Sequence, residues 1–186
     1  MKNLILALSF IVAGPSIALA QAIPAASRLG DLQVGATFTY ADPDYGPDGT
    51  HIKGYGFYSD FDFYKHLGAE VDFHQLTGLQ STLRQRSYEA GGRYFWNYGL
   101  FKPYGKVLYG RDVIIVKPPT GDANYAGNMV DFGGGVDIAV QRHINVRAEY
   151  EYQKWFSQSA TPKGLAPMLF TIGAAYHFPP GKPRYH

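Results

Sequence analysis

Cysteine is absent from the 186 residues, which excludes a disulfide scaffold and any thiolate metal site. Charge is sparse: 17% of residues are Asp, Glu, Lys or Arg, where soluble domains usually carry about 25%. The formal net charge of +2 gives no electrostatic case for a nucleic-acid partner. Beyond residue 20 there is no run of about 18 consecutive apolar residues, so a membrane crossing would have to be made by strands closed into a barrel. His66, His74, His143 and His177 are scattered, without His-x-x-x-His or Glu-x-x-His spacing, and no metal site is expected from them. Gly133-Gly134-Gly135 lies inside an alternating segment and not between a strand and a helix, so it is not a phosphate-cradling loop. No cofactor is expected; the glycines would instead let barrel walls approach closely.

What is abundant is aromatic and small. Aromatics reach 16%, with 15 Tyr and 12 Phe, and there are 22 Gly, a mixture that suits short strands on a pleated surface better than long helices. The first 20 residues stand apart. A basic start, Met1-Lys2-Asn3, precedes an apolar run from Leu4 to Val12; Gly14-Pro15 breaks it, and Ala18-Leu19-Ala20 forms a small-x-small cleavage site before Gln21. That is the plan of a secretory signal peptide, with an apolar run too short for a bilayer span. The expected organisation is a leader at 1–20, a lead at 21–29, one domain at 30–178 and a short tail at 179–186.

Eight segments of period two follow, at about 31–41, 53–64, 67–74, 88–96, 101–109, 130–138, 144–153 and 167–178. The seventh shows it best: Ile144, Val146, Ala148, Tyr150 and Tyr152 alternate with Asn145, Arg147, Glu149, Glu151 and Gln153. Successive side chains of a strand leave opposite faces, so this is strand geometry. Short links near residues 65–66, 97–99 and 141–143 alternate with long ones at about 42–52, 76–87, 110–128 and 154–166. An even number of antiparallel strands, with short turns at one rim and long loops at the other, is the plan of an all-β, eight-stranded up-and-down transmembrane barrel, although period two alone would also fit a soluble up-and-down barrel such as a lipocalin.

The faces decide between lipid and water as the outer solvent. One face is apolar in every segment. The other carries Asp60, Asp62, Glu70, Asp72, Glu89, Arg93, Lys106, Asp131, Asp137, Arg147, Glu149 and Glu151, beside small residues such as Gly54, Gly91, Gly133 and Gly173. Eight strands enclose a lumen only just wide enough for side chains to fill, so the polar face with its glycines fits inside and the aromatics fit outside. Phe61, Phe63, Tyr94, Trp96, Phe101, Tyr176 and Phe178 gather near the short turns, as an interfacial girdle would. Nine of the twelve charges are carboxylates, so Arg93 and Arg147 are expected to be counter-ions. Register neighbours would set Arg147 against Asp131 and Asp137, and Arg93 against Glu70 and Asp72.

The last segment, Thr171-Ile172-Gly173-Ala174-Ala175-Tyr176-His177-Phe178, reads polar-x-Gly-x-x-aromatic-x-aromatic. In Thr171, Gly173, Tyr176 and Phe178 it resembles the assembly signal that outer-membrane barrels present to the insertion machinery, although eight residues follow Phe178. Over about residues 30–178 the chain resembles the small outer-membrane barrels typified by the OmpA transmembrane domain and OmpX. That resemblance implies a bacterial outer membrane, with its lipid and the barrel assembly machinery as partners; it leaves the ligand of the loops unknown, because fold does not carry function. Enzymes such as lipid A deacylases share the scaffold and carry a His-x-Ser pair, whereas here His143-Ile144-Asn145 and His177-Phe178-Pro179 supply no nucleophile. No catalytic residue is expected. The expected role is envelope structure or surface interaction through four loops, with a narrow cation-permissive pore and a lipid A-modifying enzyme as alternatives.

Overall fold

The computed structural model describes residues 30–43, 51–78, 83–116, 123–156 and 165–178; the expected leader and tail lie outside them. Alternation of apolar and polar side chains builds eight strands: β1 (Asp31–Asp42), β2 (Ile52–Asp62), β3 (Leu67–Gly78), β4 (Leu83–Phe95), β5 (Phe101–Val116), β6 (Ala123–Gln141), β7 (Ile144–Trp155) and β8 (Met168–Phe178). Each pairs antiparallel with the next, and β8 returns to β1, so the sheet closes and leaves no open edge. The closing seam is long: Leu32 stands opposite Phe178 and Asp42 opposite Met168, with every residue between them in register.

Two expectations about length are corrected. The second strand ends at Asp62, and Phe63 and Tyr64 belong to the following turn, where both amides donate to the Leu67 carbonyl. The long links are much shorter than expected on two hairpins. The third strand runs on to Gly78 and the fourth starts at Leu83; the fifth reaches Val116 and the sixth starts at Ala123. The cause is visible in the side chains: near this rim Ile114, Met129 and Trp155 are buried inside while Val113, Ile115 and Tyr125 lie outside. Where both faces are apolar the contrast of period two vanishes, although the strands continue.

The outer wall is apolar and aromatic over most of its height. Phe61, Phe63, Tyr94, Trp96, Phe101 and Tyr176 are exposed near the short turns, while Tyr40, Tyr55, Tyr88, Tyr109 and Phe156 form a second exposed band toward the long links. Tyr176 and Phe178 contact one another, ring centroids 4.5 Å apart. In the turn between β4 and β5, Gly99 has φ of 64°, a conformation that a side-chain-bearing residue adopts only with strain.

Candidate functional site: the charged lumen

All twelve charged side chains singled out in the sequence lie buried inside the barrel. His74 and Asp112 join them; Asp112 escaped notice because the alternation was lost beyond Tyr109. The polar side chains are tied wall to wall across the lumen in successive levels.

Nearest the short turns, Lys102 bonds Asp62 and lies 3.9 Å from Asp31, whose other oxygen is 2.6 Å from His177. Gln33 donates to Asp60 at 2.9 Å and to Asp137 at 3.2 Å, and itself accepts from the Asn145 amide.

The next level is built on two guanidinium groups. Arg147 holds Asp137 with Nε to Oδ1 at 2.7 Å and Nη2 to Oδ2 at 3.1 Å, a two-point contact. Arg93 reaches the same Asp137 at 2.9 Å. Both arginines also bond Asp60 on the far wall, and both approach Glu70, at 3.4 Å from Arg93 and 3.3 Å from Arg147. Tyr58 lies under Arg147 with the guanidinium carbon 3.8 Å from the ring centre, and Tyr104 lies beside both arginines at 4.2 and 4.7 Å. Guanidinium planes stack on aromatic faces in this way because weak hydration and a flat shape suit the ring.

Register alone misassigned part of this level. Asp137 is opposite Arg147, but Asp131 is opposite Gln153, and Arg147 finds its remaining partners on β2 and β3. Arg93 meets Glu70 but not Asp72, which is instead held by Lys106 and His74. In so narrow a barrel an arginine reaches across the lumen as well as to the strand beside it.

Lys106 forms the third level. Its ammonium lies 2.8 Å from Glu70, Glu149 and Glu151 and 3.1 Å from Asp72. The stem of Lys106 explains Gly133, where a Cβ would stand 2.7 Å from Lys106 Cε, whereas at Gly135 a Cβ would run into the Ala148 carbonyl oxygen, the close approach of walls expected of this run. Tyr104 donates its hydroxyl to Glu149, and Thr39 links His74 at 3.1 Å to Thr171 at 2.9 Å.

Above Lys106 the character changes. Glu89, Asp131 and Glu151 bring carboxylate oxygens within 4.8 Å of one another. Gln153 donates to Glu89 at 3.1 Å and Gln85 to Asp112, but neither oxygen of Asp131 meets a hydrogen-bond donor. Two further triads, Asp72–His74–Glu151 and Glu70–Asp72–Glu149, also have the spacing to hold a cation, and the Lys106 ammonium already reaches carboxylates of all three. Higher still the lumen turns apolar: Ala41, Ile52, Leu76 and Leu169 form one buried cluster, Ile114, Met129 and Trp155 another, and Leu83 touches both. Sequence reasoning had no reason to look for this layer, since apolar residues were assigned to lipid.

Of the residues proposed as an assembly signal, Thr171 is buried against Thr39 and Tyr176 is exposed, while Phe178 closes β8. Gly173 packs on β1, where a Cβ would stand 2.7 Å from the Ala36 carbonyl oxygen.

Comparison with known proteins gives the same architecture. Neisserial surface protein A superposes with a TM-score of 0.62 at 19% identity, covering 81% of this chain and 97% of that one. The N-terminal β-barrel domain of Pseudomonas aeruginosa OprF gives 0.61 at 11% identity, over 80% of this chain and 99% of that one. Ail, the attachment invasion locus protein of Yersinia pestis, solved with the heparin analogue sucrose octasulfate, gives 0.56 at 18% identity, over 80% and 99%. No curated protein matches the chain. The profile described as outer membrane protein beta-barrel domain matches residues 5–178, which takes in all eight strands and the closed lumen. The chain therefore belongs to the outer membrane protein beta-barrel domain family, a family of barrels of the bacterial outer membrane.

Proposed function

We propose that the protein is a non-enzymatic structural barrel that acts through the four long links at one rim, as an envelope element or a surface-contact module. The observation that carries this reading is the cross-lumen network. Arg147 on β7 bonds Asp60 on β2, Gln33 on β1 bonds Asp137 on β6, and Lys106 on β5 bridges β3 to β7. A lumen laced together at three levels and topped by an apolar layer is a core, not a conduit. Reconstitution in planar bilayers tests it: the wild-type barrel should give no discrete conductance. A cation-selective channel would replace this reading with the pore, which has the carboxylate excess of the lumen behind it.

Export and assembly belong to the same proposal. Cleavage after Ala20 predicts that the mature protein begins at Gln21, read by N-terminal sequencing. Thr171, Gly173, Tyr176 and Phe178 serve as the signal to the assembly machinery. Deleting Phe178 together with the tail should reduce insertion into the outer membrane while spontaneous folding in detergent continues; unchanged insertion would remove the signal from this segment.

A further inference from the structure

The outer wall carries almost no charge except at one height. Lys53 on β2, Arg84 and Arg86 on β4, Arg111 on β5 and Lys154 on β7 are all exposed and all lie toward the long links. Strand register makes them neighbours. Lys53 and Arg84 both stand opposite Thr77, one from each side. Arg86 is opposite Gln75 and contacts its amide oxygen at 3.1 Å. Arg111 is opposite Tyr88 and so diagonal to Arg86, and Asn128, opposite Arg111, is diagonal to Lys154 across β6 and β7. Diagonal residues on adjacent strands hold their Cβ atoms about 7–8 Å apart, so Arg86 and Arg111 are within reach of each other, while Lys53 and Lys154, each across one intervening strand, extend the basic belt to span six strands.

Among the described residues the exposed carboxylate of the outer wall is Asp42, and it faces His51 at 3.6 Å. Among the described residues nothing acidic therefore neutralises the belt.

A second regularity fixes its height. Two residues nearer mid-wall on the same strand, Lys53 has Tyr55, Arg86 has Tyr88, Arg111 has Tyr109 and Lys154 has Tyr152. Outward tyrosines lie at the boundary between acyl chains and headgroups. A cation one pleat further out stands where a lipid phosphate stands. Guanidinium forks match phosphate oxygens geometrically, and three of the five side chains are arginine.

We propose that this belt is a binding site for the phosphates of outer-leaflet glycolipid. It rests on the reading that the long links face the cell exterior. The cations would hold the barrel at a set depth and gather a ring of phosphorylated lipid around it.

The test uses the full barrel refolded in detergent, with bis-phosphorylated lipid A and its dephosphorylated form as probes in mixed micelles. The triple variant Arg84→Gln/Arg86→Gln/Arg111→Gln should bind the phosphorylated lipid on the order of tenfold more weakly, since each exposed charge pair contributes about 0.5 kcal/mol and tenfold is about 1.4 kcal/mol. Removing the phosphates should weaken the wild type by a similar factor and abolish the difference between the two proteins. Lys65→Gln/Arg142→Gln, which alters exposed cations in the short turns, should leave binding unchanged. An unchanged unfolding transition shows that the triple variant is folded; if it is not, Arg86→Gln with Arg86→Lys as partial rescue takes its place. Equal affinity of wild type and variant, or binding indifferent to the phosphates, overturns the proposal. So does preferential binding of a soluble sulfated polysaccharide, which would make the belt a receptor for external polyanions. Orientation is tested separately: the chain has no cysteine, so His51→Cys gives one thiol at the long-link rim for an impermeant maleimide on intact cells. Failure of labelling would sink the orientation and with it the outer-leaflet assignment, while the phosphate affinity read in micelles is measured independently of it.

Discussion

The lower and upper halves of the lumen hold their acids in opposite ways. Toward the short turns, Asp60, Glu70 and Asp137 are each shared between Arg93 and Arg147, and four carboxylates surround Lys106. Toward the long links, Glu89 and Asp112 are served by glutamine amides and Asp131 by no donor, directly beneath the apolar layer. Transfer of an ionised carboxylate out of water is costly unless it is paired, so in the lower half removing one partner strands a buried charge, whereas in the upper half there are few partners to lose. Neutralising a single carboxylate should therefore have different effects in the two halves.

The largest effect is expected where one cation serves most acids. Arg147→Met leaves Asp60 and Asp137 with Arg93 alone, and should lower the unfolding free energy in detergent by about 3–5 kcal/mol, read by denaturant titration. An unchanged midpoint, together with silence in planar bilayers, would show that the lower network is not what holds the lumen. Leu76→Ala in the apolar layer should cost about 2–5 kcal/mol by leaving a cavity against Ile52 and Leu169. On the opposite side of the wall, Val71→Arg puts a charge into lipid near mid-strand and should cost about 2–4 kcal/mol in bilayers and less in detergent. Equal cost in both media would mean that this face does not meet hydrocarbon.

The sequence made the lower half legible and the upper half obscure, for a physical reason. Where the inner face is charged and the outer face aromatic, as in Ile144 to Gln153, period two stands out and every inward residue can be named. Where Ile114 and Met129 replace the charges, inside and outside look alike, and the ends of β5 and β6 together with Asp112 were missed. Tyr58 was not named although alternation puts it on the inward face with Gly56 and Asp60; what the pattern could not show is that its ring lies under Arg147. Contacts across the lumen, such as Arg147 to Asp60, were beyond reach because alternation and hairpin order define neighbours along the wall, not partners across it.

The smallest expected effect discriminates best between the halves. Asp131 and Asp137 lie on the same face of the same strand, six residues apart, and both are buried. Asp137 accepts from Arg93 and from two nitrogens of Arg147, so Asp137→Asn removes the charge that orders both guanidinium groups and should cost about 3–5 kcal/mol. Asp131→Asn has nearly the same shape and replaces a carboxyl group that no protein amide or cation serves; its amide can donate to Glu89 or Glu151, whose oxygens are within 4.8 Å. That exchange supplies a donor among the carboxyl groups, and a hydrogen bond contributes about 0.5–1.5 kcal/mol. The Asp131→Asn barrel should therefore unfold at the same or a slightly higher denaturant concentration than wild type, under conditions where Asp137→Asn unfolds well below it. If the two variants were destabilised alike, the acids of the upper lumen would be held as firmly as those of the lower, and the division between the halves would fall.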